Sequence, residues 1–203
     1  DGCVYGMPGK ATSVVRFDPR MQVLSTFGEL DAGEAKYYSG VLGPTGRFIF
    51  CAPCKAARVL CIDTKTQTCE LIGDKFDVGT WKWLGGGIGG DGAIYCIPAC
   101  HNRVLRIDPE AKTTSLFGPP LHGGTNIALW DGGAVGADGC VYGTPRMSEY
   151  MLRVDPVAGT VSTVGELVPP ELRGKLRGAV LGAGLRRAGL AFRAAGVLRR
   201  RAR

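Results

Sequence analysis

No apolar run in these 203 residues approaches the 18 or so that a helical membrane span requires. The chain opens on Asp1-Gly2 with no initiator Met, basic n-region or apolar h-region, so no signal peptide is visible. A leader could have been removed, which leaves the compartment open, with the cytoplasm favoured. Glycine is abundant at 32 residues, yet no Gly-X-Y period makes it collagen. Eight cysteines are too few for a disulfide scaffold, and 45% hydrophobic residues are too many for wholesale disorder. Acid is nearly absent from the end of the chain. Residues 171–203 hold ten Lys/Arg against Glu171 alone, a net of +9, whereas residues 1–170 hold 15 Lys/Arg against 17 Asp/Glu, a net of −2. A basic groove running through the whole fold is therefore excluded, and binding to nucleic acid or acidic membrane could only use the tail.

What is present is a repeat. Asp1-Gly-Cys-Val-Tyr-Gly-Met-Pro8, Gly46-Arg-Phe-Ile-Phe-Cys-Ala-Pro53, Asp91-Gly-Ala-Ile-Tyr-Cys-Ile-Pro98 and Asp138-Gly-Cys-Val-Tyr-Gly-Thr-Pro145 align. Each is followed by an apolar run ending at Asp18, Asp63, Asp108 or Asp155, and by another closing on Gly28, Gly73, Gly118 or Gly165. All three markers step by 45, 45 and 47 residues. Within a unit the apolar period is two, the signature of strands. Cys3–Met7, Val14–Phe17 and Gln22–Phe27 read as the strands of the first unit. Asp-Pro at 18, 108 and 155 marks the turns, since Asp accepts backbone N–H bonds two residues on. Gly159 supplies the positive-φ position of one such hairpin. Asp63-Thr64 lacks the proline, so that turn is expected to be less fixed.

A further strand precedes each later unit: Lys36–Gly43, Lys82–Gly89 and, more loosely, Leu129–Gly136. These glycine-rich runs fit a crowded strand where backbones approach closely. Four short strands per 45 residues, with the first one crowded, read as blades of an all-β propeller, four antiparallel strands each. The expected units are 1–45, 46–90, 91–137 and 138–170. Lys175–Gly182 repeats the crowded strand, so 171–184 reads as the inner strand of a degenerate fifth repeat, and 185–203 as a basic low-complexity tail. Two arrangements are open: a four-blade ring closed by the Lys175 strand beside Asp1, or an incomplete arc of a larger propeller.

The Asp-Gly-x-Ile/Val-Tyr … Val-Leu-Arg-Ile-Asp-Pro … Gly unit resembles blades of virginiamycin B lyase-like propellers and, more distantly, NHL-type and gluconolactonase-type blades. The resemblance covers about 165 residues, and its motifs belong to the scaffold. It implies a propeller fold; the lyase-like enzymes use a metal with channel-facing histidine chemistry, and the lactonases channel carboxylates with a divalent ion. No such motif can be carried over, because His101 and His122 are the only histidines and neither lies on an inner strand. Trp130-Asp131 occurs once, before Gly-Gly, and its likeness to a WD dipeptide is coincidental.

Three sets of residues bear chemistry. Lys36, Lys82 and Lys175 head the inner strands beside Tyr37, Trp83 and Trp130, with Asp131 next to the last. Facing one channel mouth, they would form a basic-aromatic ring for an anionic or planar ligand. The simpler reading packs the aromatics between blades and leaves the lysines solvated. Cys51, Cys54, Cys96, Cys100 and His101 are weak zinc candidates, set against ordinary reduced thiols; no metal or cofactor is expected, zinc or calcium being the alternative. The recurring Arg-x-Asp pairs read as turn scaffolding, since a catalytic set is normally unique in a chain. The expectation is a non-enzymatic scaffold binding a protein or small ligand at the channel face. The alternatives are a metal-dependent lyase- or lactonase-like enzyme using Asp131, Asn126 or His122, and a tail that binds nucleic acid or acidic membrane. Open blade edges would permit oligomerisation.

Overall fold

A computed structural model describes residues 1–121, 126–179 and 181–182; His122 and the 185–203 tail lie outside these. The first sheet holds β1 (Val4–Gly6), β2 (Val14–Asp18) and β3 (Val23–Phe27). The second runs β4 (Val41–Leu42), β5 (Phe48–Cys51), β6 (Val59–Asp63), β7 (Thr68–Ile72). The third runs β8 (Trp83–Ile88), β9 (Ile94–Pro98), β10 (Val104–Asp108), β11 (Thr113–Phe117). The fourth runs β12 (Trp130–Val135), β13 (Val141–Pro145), β14 (Met151–Asp155), β15 (Thr160–Val164). Every pairing is antiparallel between sequence neighbours. Each sheet is a blade, and the blades are offset from the units 1–45, 46–90, 91–137 and 138–170: β4, β8 and β12, at the ends of the first three units, pair into the sheet of the following blade.

Burial follows from stacking blade on blade. Sheets packed on both faces have no solvent side in their middle strands, so the alternation is lost there: β6 and β9 are buried throughout. The outermost strands β7, β11 and β15 keep exposed residues. One apolar cluster joins the first two blades around Val14, Tyr37 and Leu60, a second joins blades two and three around Phe50, Trp83 and Leu105, and a third joins blades three and four around Tyr95, Trp130 and Leu152.

A belt of backbone hydrogen bonds links the same blades near the inner strands. The Lys36 N–H donates to Gly9, Cys54 to Lys36, Lys82 to Cys54, Ala99 to Lys82, Leu129 to Ala99 and Arg146 to Leu129, at 2.8–3.1 Å, and Gly174 donates to Arg146. Bonds within a blade alternate with bonds across a seam. Such bonds contribute about 0.5–1.5 kcal/mol each, but their loss would leave buried polar groups unpaired.

The turn after the second repeat motif owes its geometry to aspartate. Oδ1 of Asp18, Asp63, Asp108 and Asp155 accepts the N–H groups two and three residues on. Asp63 does so without the proline, so the turn expected to be looser is the same turn. Its left-handed residue is Gly159 in the fourth blade but Gln22, Gln67 and Lys112 in the others.

The Arg-x-Asp pairs are scaffolding. Tyr5, Tyr95 and Tyr142 donate their hydroxyls to Asp1, Asp91 and Asp138 at 2.7–2.9 Å. Arg16, Arg106 and Arg153 lie 3.6–3.7 Å from those same carboxylates. The second blade departs. Gly46 takes the left-handed conformation of Gly2, Gly92 and Gly139, which makes Arg47 an extra residue in the hairpin. Arg47 then holds Asp63 through both Nε and Nη2, replacing the arginine that Cys61 displaces.

The segment 175–179 forms no strand and pairs with none of β1–β3. It lies against the fourth blade instead: Thr144 Oγ1 donates to the Gly178 carbonyl at 2.9 Å, and a Cβ on Gly132 would strike Gly178. Of the two closures the sequence leaves open, the described residues show the arc.

Two outcomes are expected. Gly85 has φ +80°, and a Cβ there would sit 2.6 Å from Gly132 Cα, so Gly85→Ala lowers stability by about 2–4 kcal/mol. Gly9→Ala, with its nearest neighbour at 3.7 Å and no left-handed φ, changes it by less than about 1 kcal/mol. Denaturant titration reads both. Arg47 holds the Asp63 carboxyl well below its ordinary value of 3.8. A depressed folded-state pKa gives stability that is present above 3.8 and lost as pH falls through the folded value. Arg47→Gln therefore melts lower than the parent at pH 7, and the gap narrows below pH 3.8.

Candidate functional site at the channel mouth

The residues that head the inner strands turn into the protein. Tyr37, Trp83 and Trp130 pack between blades, and each pins the start of its blade's third strand. The Tyr37 hydroxyl donates to the Arg58 carbonyl, and the indole N–H groups of Trp83 and Trp130 donate to Arg103 and Tyr150, at 2.9–3.0 Å. Lys36 and Lys82 are only 7% and 2% exposed. They are not solvated: the Lys36 ammonium donates to the Ala11 carbonyl at 2.8 Å, the Lys82 ammonium to Asp77 at 2.5 Å. Burial lowers the Lys82 pKa. The physical reason is that a long aliphatic stem fills the seam while its amine satisfies loop carbonyls. Lys175 alone of the three is exposed, in a turn beyond the fourth blade.

The channel mouth is lined two positions further along each run. A bulge shifts the register between Trp83 and Gly86 and again between Trp130 and Gly133. It lets the aromatic point into the seam while the next residue faces the channel. The side chains so placed are Tyr38, Leu84, Asp131 and Arg177, joined by Trp81 and Arg146 around a pocket of about 360 Å³. Ser39, Gly85, Gly132 and Gly178 carry the backbone past one another beneath them, with the Ser39 hydroxyl accepting the Gly85 N–H at 3.0 Å. Small residues recur at this position because adjacent inner strands nearly touch.

The charges here occur once each. Asp131 lies 3.8 Å from Arg146 and 3.6 Å from Arg177, ion-pair distances too long for full hydrogen bonds. Burial raises its pKa, while both guanidinium groups pull it back. Tyr38 and Trp81 stack at 5.1 Å between centroids, and Arg146 and Lys55 each approach the Trp81 ring at 5.9 Å. One carboxylate against two arginines leaves the mouth positive. Such a site can hold a small planar anion, the ring on the aromatic pair and the charge on the arginines.

The cysteine candidates do not converge. Cys51 packs in the cluster of blades one and two, with Met7 Sδ 3.1 Å from its sulfur. Cys96 belongs to the cluster of blades two and three, and Cys54 to a small one with Leu84 and Ala99. Burial pushes the Cys54 thiol up to about 11 and Cys96 to about 12, whereas zinc takes thiolates. His101 stacks on Trp83 at 4.4 Å, and its Nδ1 accepts the Arg103 backbone N–H at 3.1 Å. Among the described residues, no three His, Cys, Asp or Glu side chains gather closely enough to hold a metal ion. Asn126 is exposed on the loop before β12.

No protein-family model and no curated protein matches this sequence. Solved structures do. Virginiamycin B lyase from Staphylococcus aureus superposes with a TM-score of 0.69 at 18% identity, over 85% of this chain and 55% of that one. A streptogramin B lyase gives 0.66 at 16%, over 85% and 53%. A putative 6-phosphogluconolactonase from Bacteroides uniformis gives 0.59 at 15%, over 82% and 51%. The fold is that of a β-propeller. The chain spans about half the length of the propellers it matches, and likeness at this identity establishes architecture alone.

Arg146, Arg177, Trp81 and Tyr38 escape sequence reasoning that follows only the strand heads. Arg146 had a signal. The residue after the repeat's proline is Gly9, Cys54 and Ala99 in the other blades, and only here is it charged.

Proposed function

We propose that this propeller segment is a non-enzymatic binding module whose channel mouth takes a small planar anion, such as an aromatic carboxylate. The observation that supports this most is the contrast between repeated and unrepeated polar groups. The Asp–Tyr–Arg clusters recur from blade to blade and brace hairpins, whereas Asp131, Arg146, Arg177 and Trp81 each occur once and meet in one pocket. In this reading Arg146 and Arg177 supply the charge, Trp81 and Tyr38 the planar surface, and Asp131 orients the guanidinium groups. The lyases and the lactonase that share the architecture make an enzyme the natural alternative. It would need a unique acid or base in the mouth, and Asp131 is the residue for that role.

Trp81 borders the pocket, so quenching of tryptophan fluorescence by benzoate and 2-naphthoate reports binding. The expected result is saturable quenching, tighter for naphthoate, that weakens at least tenfold in Arg146→Gln with Arg177→Gln and weakens with added salt. Unchanged binding in the double variant would refute the site. Turnover of a lactone or ester that disappears in Asp131→Asn would replace the module with an enzyme.

A further inference from the structure

A second pocket lies at the seam of the first two blades, away from the channel mouth. It encloses about 630 Å³ between the 30–36 and 75–79 loops. Both loops are tied to the segment after β5: Lys55 N–H donates to Ala35, Gly79 N–H to Lys55 and Phe76 N–H to Ala57. The walls are thus held in place without a ligand. Leu30, Ala32, Ala56, Leu71 and Val78 make the lining largely apolar, and Leu30 and Ala56 pack on the core beneath. Val78 and Leu71 are 68% and 46% exposed, more than isolated packing residues need be.

The rim carries cations with little to hold them. Arg58 departs from the repeat. Its counterpart in the third blade, Arg103, caps the end of β11 through two bonds to the Gly118 carbonyl, at 2.8 and 2.6 Å. Arg58 stands at the same point, its carbonyl likewise receiving the aromatic peg, yet its exposed side chain makes no hydrogen bond or ion pair among the described residues. Lys75 is exposed and equally unpaired there, while Lys55 only approaches Trp81. On the acidic side, Glu34 is bound to Lys10 at 2.8 Å, which leaves Asp31 as the opposing charge. The rim is net positive over an apolar floor.

We infer that this seam pocket binds an amphipathic anion, an aliphatic chain ending in a carboxylate or phosphate, with the head group on Arg58 and Lys75 and the chain along Leu30, Ala56, Leu71 and Val78. A pocket of this size suits a ligand of about 12 to 14 heavy atoms or somewhat more. Its one aromatic lining residue, Tyr37, is buried, so it offers no exposed aromatic pair like Tyr38 and Trp81 at the channel mouth, and the two sites should select different anions.

Calorimetric titration of the 203-residue protein with sodium dodecanoate, kept below micelle formation, tests this. The expected result is one saturable site, no binding of dodecyltrimethylammonium, and much weaker binding of dodecanol. Arg58→Gln with Lys75→Gln should weaken dodecanoate at least tenfold, and Val78→Asp should abolish binding; all three positions are exposed, and circular dichroism verifies that the variants fold. Arg146→Gln should leave dodecanoate binding unchanged, which separates this site from the channel mouth. Vesicles of phosphatidylglycerol distinguish the source: binding there that competes with dodecanoate assigns the head group of a lipid surface, and its absence assigns a free fatty anion. Equal binding of the cationic and anionic detergents, or dodecanoate affinity indifferent to the Arg58/Lys75 pair, would overturn the inference.

Discussion

Seams between blades decide everything else in this molecule, and the backbone belt is what sets their spacing. From Gly9 to Arg146 each of its residues both accepts and donates, once to its own blade and once to a neighbour. Side-chain packing alone would let blades slide or splay, because apolar contact is non-directional. A hydrogen bond is not, and a chain of them near the inner strands fixes how closely the blades approach where crowding is greatest. The aromatic pegs Tyr37, Trp83 and Trp130 act at the same level, each bonding a carbonyl at the start of the third strand.

That spacing explains why glycine is so common. Where inner strands pass within touching distance, Gly85 and Gly132 leave no room for a Cβ, which would strike Gly132 and Gly178 respectively, and the bulge at each throws the preceding residue into the channel. The bulge therefore does two jobs with one feature. It sends the aromatic into the seam as a structural peg and presents Leu84 or Asp131 to the mouth. Scaffold and site are adjacent residues on one strand, so the site can vary while the peg stays.

The repeat made the architecture readable. Period-two apolar runs, turn-forming aspartates and a constant step of markers are local features that survive in a single sequence, and they led to the blades directly. Three features were harder to read for a common reason: they depend on where the backbone bends. Lys36 and Lys82 look like surface charges by type, and only the seam shows their stems buried and their amines on loop carbonyls. The register shift that turns Trp130 into the seam and leaves its fellow candidate Asp131 at the mouth has no mark in the letters but a pair of glycines. Aligning Gly46 with Asp1 hid an inserted residue, although Arg47 opposite a lost arginine at Cys61 was visible in the letters. The arginine at position 146 could have been found by asking which blade breaks the pattern after its proline. The pairing of Arg177 with Asp131 could not, since nothing local connects them.

Hydrogen exchange at the belt amides tests the central claim most directly. If the belt holds the arc together, the N–H groups of Lys36, Cys54, Lys82, Ala99, Leu129 and Arg146 exchange only through global unfolding, at rates matching those of the buried strands β6 and β9. They would do so although all six residues lie outside the strands. Exchange at those amides as fast as in the exposed turns after Asp18 and Asp155 would mean that apolar packing alone holds the blades, with the belt incidental to their spacing.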